Sequence, residues 1–192
     1  MKRCEWAGTN PLEVEHHDIE WGVPLHEDRM LFEMLVLESA QSGLSWATIL
    51  QKRSGYIKAF DNFDVHKIAK YSPKKIESLL NDPGIVRNKL KVNATVENAK
   101  RCLEIKKEYG SFDQYIWSFV DGKPINNTWK EISEIPSSTS VSELMSKDLK
   151  KNGFKFIGPT TCYAFMQAVG MVNDHITSCF RYKEVKKLQN ST

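Results

Sequence analysis

No apolar run in the 192-residue chain approaches the roughly 20 residues that a membrane-spanning helix requires. The amino-terminal stretch MKRCEWAG also lacks the apolar core of a signal peptide, so a cytoplasmic protein with no membrane partner is expected. Strand-like alternation of any length is missing, as is any internal repeat. Cysteine is scarce, with only Cys4, Cys102, Cys162 and Cys179. In a reducing compartment these point to metal ligation or plain burial rather than to disulfides. A strong charge excess is absent too. A net charge of +3 is compatible with a nucleic-acid partner without arguing for one.

Hydrophobic residues at 41% and charged residues at 27% suit a globular chain with one sizeable core, or at most two small lobes around a cleft. The start and stop signals predict helices joined by short loops, an all-α domain. Asp28 is placed to cap a helix over Met30–Ala40. Ser45 opens a second helix to about Phe60, and Asp64 caps a short one. Ser72-Pro73 starts another through Leu80, with proline where its missing N–H costs nothing. Asn88 begins a long helix to about Tyr109. Ser111–Gln114 and Ser140–Glu143 read as capping boxes, the second for a helix that Gly153 ends, and Pro159–Val169 as an apolar helix closed by Gly170. The first 25 residues look irregular yet rich in aromatic and histidine side chains, and Trp129 is expected to anchor a long loop. The polar, basic residues 183–192 are expected to be a disordered tail.

The stretch MLFEMLVLESAQSGLSW, from Met30 to Trp46, is the most informative. Its helix is apolar on every side, which belongs inside a protein. Glu33 and Glu38 project about 140° apart at ~100° per residue, so one narrow solvent face cannot hold both. Glu38 falls on the stripe of Leu31, Met34 and Leu35, where an ionised carboxylate is costly unless something binds it. Trp46 follows across the short loop of Gly43 and Leu44. A carboxylate facing a tryptophan suits a flat, electron-poor, hydrogen-bonding ligand such as a purine base. The plainer alternative is a glutamate at a fraying helix end that reaches water.

His175 and Cys179 are four apart and share a face if they lie on a helical turn. Cys4 and His17 lie at the other end of the chain. Together they form a Cys2His2 set that suits one tetrahedral Zn²⁺, closed by four protein ligands and therefore structural. Cys102 and Cys162 sit within apolar helices and are assigned to packing. Between the helices ending at Leu80 and starting at Asn88, Pro83-Gly84 makes a tight turn. Free amides at the start of the second helix, with Arg87, Lys89 and Lys91, could hold a DNA phosphate. An ordinary helical hairpin with solvated lysines would show the same pattern.

Five segments resemble the 3-methyladenine DNA glycosylase I family of helix-hairpin-helix DNA glycosylases: HDIEWGVP (17–24), LFEMLVLESAQSGLSW (31–46), WSFV (117–120), SEIPSSTS (133–140) and GFKFIGPTTCYAFMQAVGMVNDH (153–175). The resemblance runs from Arg3 to Cys179. It implies one helical glycosylase domain over residues 1–182, with the helix-hairpin-helix at about 73–101. It further implies a monomeric enzyme that flips 3-methyladenine from double-stranded alkylated DNA and hydrolyses its N-glycosidic bond. No lysine stands immediately after the Pro-Gly hairpin as a Schiff-base nucleophile, so the product is an abasic site without strand cleavage. The resemblance places a structural zinc on Cys4, His17, His175 and Cys179, and the base pocket at Glu38, Trp46 and Trp21. It sets the Gly43-Leu44 loop against the lesion gap, with Gly84, Arg87 and Lys89 on the DNA. Glu38 is also the candidate catalytic base. One departure stands out: the family has tyrosine where this chain has His16, a group that can gain a charge. His16 either lines the pocket, faces solvent or replaces His17 on the metal. The departure leaves two alternatives: a glycosylase of altered base specificity, or a non-catalytic paralogue that binds damaged DNA.

Overall fold

A computed structural model describes residues 1–189. Among the described residues ten α-helices make up nearly all of the regular structure: α1 (Pro11–Glu15), α2 (Asp28–Gln41), α3 (Trp46–Ala59), α4 (Val65–Ile68), α5 (Pro73–Leu80), α6 (Lys89–Tyr109), α7 (Phe112–Ser118), α8 (Ser140–Lys151), α9 (Pro159–Ala168) and α10 (Phe180–Gln189). Two parallel two-residue strands, β1 (Ile125–Asn126) and β2 (Val172–Asn173), pair Ile125 with Val172 and Asn126 with Asn173. Such short strands carry no alternation that a sequence could display.

The core forms around α2. Every residue from Leu31 to Ala40 is buried, because α3, α6, α7 and α9 enclose the helix. Helix starts follow side-chain chemistry. Ser45 accepts from the Thr48 N–H, Ser72 from Lys75, and Asn88 from both Leu90 and Lys91. Two caps differ from expectation. Glu27, not Asp28, caps α2, while Asp28 accepts from the Asp113 N–H and pairs with Lys106 at 2.7 Å. Thr139 rather than Ser140 caps α8, with Ser142 completing the reciprocal pair.

The first 25 residues are more regular than expected. They hold α1 and a π-helical turn over His16–Glu20 that runs straight on from it. The tail expected to be disordered is corrected as well: α10 continues to Gln189, with Val185 and Gln189 buried, and the Gln189 amide donates to the Gly22 and Gly170 carbonyls. That helix is pinned by contacts with residues far away in sequence, which composition does not reveal. Residues 190–192 lie outside the described residues.

The loop between α5 and α6 docks on α3 through glycine. A Cβ on Gly55 would stand 2.2 Å from the Gly84 carbonyl oxygen, so the two backbones touch where only hydrogen fits. Lys52 closes the same contact by donating to the Pro83 carbonyl at 2.7 Å. Gly55→Ala should therefore destabilise the protein by about 1–3 kcal/mol, the scale of forced overpacking. Urea unfolding checks this; an unchanged midpoint would mean that the loop yields freely.

Candidate functional site

A cavity of about 400 Å³ opens beside the C-terminal half of α2. Its walls include Trp6, His16, Trp21, Glu38 and Trp46. All four residues that the sequence assigned to base binding thus converge on one space. The aromatic groups interlock: Trp6 meets Trp21 edge-on at 5.0 Å, and His16 lies 5.2 Å from Trp46. At such spacing the members of each pair touch one another, so a flat ring would lie against these aromatic surfaces within the cavity rather than between the two rings of a pair.

Glu38 is 6% exposed, and its carboxyl group forms no hydrogen bond or ion pair with any described residue. Burial pushes it up to about 8. Glu33, on the same helix and as deeply buried, differs in kind, because Arg29 and Arg53 hold it at 3.1 and 2.7 Å. Arg53 also reaches Glu20. Burial pushes Glu20 up, but its hydrogen bonds with His16 and Arg53 outweigh that and hold it at about 2. His16 thus gives Nδ1 to Glu20 at 2.7 Å, lines the cavity, and stands outside the cysteine–histidine cluster.

That cluster sits behind Trp21. The donor atoms of Cys4, His17, His175 and Cys179 all lie within 4.8 Å of one another, and all four residues are buried. The ring tautomers are set for ligation. His17 Nδ1 faces the Asp18 carboxylate at 2.8 Å, which leaves the Nε2 lone pair towards the sulfurs. His175 Nε2 donates to the Trp21 carbonyl at 3.0 Å, which leaves Nδ1 towards them. The hydrogen bond with Cys179 raises the Cys4 thiol, and the same contact, with His17 and His175, lowers Cys179. The donor set can hold a metal ion. One expectation is corrected here: His175 and Cys179 lie in the turn between β2 and α10, not on a helix.

The expected DNA-contacting residues lie elsewhere on the surface. Gly43 takes φ +80° with open space around it, and Leu44 beside it is 40% exposed. Arg87 and Lys89 are exposed. Lys91, however, is not available to a phosphate, since it donates to the Ala40 and Ser42 carbonyls at 2.8 and 2.6 Å and closes the end of α2. Nor are the expected amides all free. Asp82 takes the Gly84 N–H, and Asn88 takes those of Leu90 and Lys91.

Sequence reasoning missed Trp6, Glu13, Gln41, Tyr163 and Gln167, which also line the cavity. Trp6 was visible as an aromatic beside Cys4. Nothing in the spacing separates Tyr163 and Gln167 from the core face of α9.

The sequence profile described as methyladenine glycosylase matches residues 6–182. DNA-3-methyladenine glycosylase 1 of Escherichia coli (strain K12) is 46% identical over 95% of this chain and 97% of its own length. A crystal structure of 3-methyladenine DNA glycosylase I superposes with a TM-score of 0.91 at 47% identity, covering 93% of this chain and 98% of that one. The structure describing 3-methyladenine recognition by 3-methyladenine DNA glycosylase I from Staphylococcus aureus also gives 0.91, at 38% identity over 94% and 96%.

The geometry at Glu38 makes a prediction about stability. Its carboxyl group titrates near 4.5 when unfolded and near 8 when folded, so the folded state holds the proton more tightly. That contribution is fully present below about pH 4.5 and is lost as pH rises through about 8. Glu38→Gln should therefore gain in melting temperature over the parent across that range, after which the gap stays level. A gap that does not change with pH would show a carboxyl group already in contact with water.

Proposed function

Because the chain belongs to the methyladenine glycosylase family, we propose that it is a DNA-3-methyladenine glycosylase acting on alkylated double-stranded DNA. It hydrolyses the N-glycosidic bond of 3-methyladenine and leaves an abasic site. The observation that carries the reading is an aromatic cavity holding one buried carboxyl group that no described residue satisfies.

Methylation at N3 gives the base a positive charge, and the glycosidic bond is already weakened. Hydrolysis forms a bond from water oxygen to C1′ and breaks the C1′–N9 bond, whose electron pair neutralises the departing base; the water proton passes to solvent. The protein needs to flip the base, hold it and exclude competing geometries. Trp46 and the Trp6–Trp21 pair would stack against its faces. Glu38 would accept from its amino edge. A cation entering beside Glu38 favours the ionised carboxylate that burial disfavours, so base and carboxylate stabilise one another. His16, held by Glu20, closes the wall where the family has tyrosine. The exposed Leu44 at the Gly43 bend would enter the gap left by the flipped base, and Arg87 and Lys89 would sit on the phosphates. We further read the protein as a monomer. Zn²⁺ on Cys4, His17, His175 and Cys179 would be closed to substrate, and its role is to hold the chain ends together.

Base release from methylated DNA, with the product identified, tests the function. Glu38→Ala should lose excision on the order of 100-fold, the scale of losing one preorganised electrostatic contact. Its melting temperature should stay equal or rise. DNA binding without any base release by the parent protein would establish the non-catalytic paralogue instead.

The metal is tested separately. Purified protein should hold one Zn²⁺ per chain, and Cys179→Ser should lower the melting temperature before it affects activity. Metal-free protein of equal stability would exclude the structural role.

A further inference from the structure

Behind the cavity wall lies a further buried carboxylate whose surroundings differ from those of both Glu33 and Glu38. Asp174 is fully buried, and no cation lies within hydrogen-bonding distance of it among the described residues. Four neutral donors satisfy it instead. Asn127 Nδ2 and Trp129 Nε1 donate to Oδ1 at 2.6 and 2.8 Å, and Tyr163 Oη and Gln167 Nε2 donate to Oδ2 at 2.6 and 2.8 Å. The first two come from the loop after β1, and the other two from α9.

A carboxylate only accepts, so this set leaves the Gln167 amide no choice of orientation. Turned the other way, its carbonyl oxygen would face Oδ2 at hydrogen-bonding distance with no proton between them. Gln167 is half-buried on the cavity wall, and its Oε1 forms no hydrogen bond with any described residue. We propose that Asp174 is a positioning residue that fixes base specificity by turning the Gln167 carbonyl oxygen towards the cavity, where it accepts from the exocyclic amino group of the flipped base. This rests on the glycosylase reading above.

The consequence is selective. A 6-amino purine brings two N–H donors to a wall that already offers Glu38 as an acceptor. A purine with a carbonyl at that edge would meet an acceptor held rigidly against it. A site built to bond one group rejects an analogue that leaves both partners unpaired. 3-Methylguanine is the informative comparison. It carries the same methyl group and positive charge, but an oxygen at that edge.

Two variants test the idea. Gln167→Leu removes the acceptor at similar volume. Asp174→Asn reverses it. The Trp129 indole can only donate, so the new amide must keep its oxygen towards Trp129 and turn its NH₂ group towards Tyr163 and Gln167. The Gln167 carbonyl then turns to that NH₂, and the Gln167 NH₂ faces the cavity. Excision of both bases is measured on methylated DNA, with melting temperature and metal content checked because His175 follows Asp174. The ratio of kcat/KM for 3-methyladenine over 3-methylguanine should fall about tenfold in each variant, the scale of one hydrogen bond that must be left unmade. A merely structural role would lower both activities together and leave the ratio unchanged, which overturns the proposal; Gln167→Leu alone suffices to show it. A ratio that falls in Gln167→Leu but holds in folded Asp174→Asn removes Asp174 from the assignment. A parent protein that releases neither base would instead refute the glycosylase reading.

Discussion

The arrangement depends on the meeting of two distant pieces of chain. Cys4 and His17 come from one end, His175 and Cys179 from the other, and their donor atoms share a space under 5 Å across. Around that point everything else on this side of the molecule is indexed. The π-helical turn that carries His17 also carries His16 into the cavity. The Trp21 carbonyl holds His175 while the Trp21 ring lines the cavity. Asp174, beside His175, fixes two residues of α9. Disturbance at the four donors therefore reaches the cavity through covalent neighbours, with no need for a longer path.

Two glutamates on α2 show how burial sorts structure from function. Both sit in a helix buried over ten successive residues. Glu33 is matched by Arg29 and Arg53 and acts as part of the scaffold. Glu38 has no match among the described residues, and the protein bears the resulting cost at neutral pH. An enzyme that must recognise a cationic base gains from holding such an unsatisfied group, because the ligand then supplies what the fold withholds. Asp174 is a third solution, a buried anion fully satisfied by neutral donors.

Much of this was legible in the residues themselves. Helix starts at Ser45, Asp64, Ser72 and Asn88 follow from side chains that bond their own backbone, a local matter. The periodicity of α2 placed Glu38 on an apolar stripe without excluding a frayed end in water, and the structure decides for burial; the cysteine–histidine set followed from ligand chemistry. What escaped was non-local. Lys91 looks like any exposed helical lysine until α2 ends beside it. The tail reads as polar because its pinning partners, Gly22 and Gly170, are remote in sequence. Tyr163 and Gln167 carry no periodic sign that distinguishes a cavity wall from a core. Asp28 was assigned to its nearest helix start, whereas Asp113 and Lys106 claim it from across the fold.

Lys91 has one more implication. Its ammonium group ties the last carbonyls of α2 to the first turn of α6, so the helix bearing Glu38, the bend at Gly43 and the segment with Arg87 and Lys89 share a single joint. A load applied to either surface segment is transmitted to the other with little slack. The spacing between the exposed Leu44 and the segment with Arg87 and Lys89 is therefore set by one buttressing side chain rather than by the loops themselves.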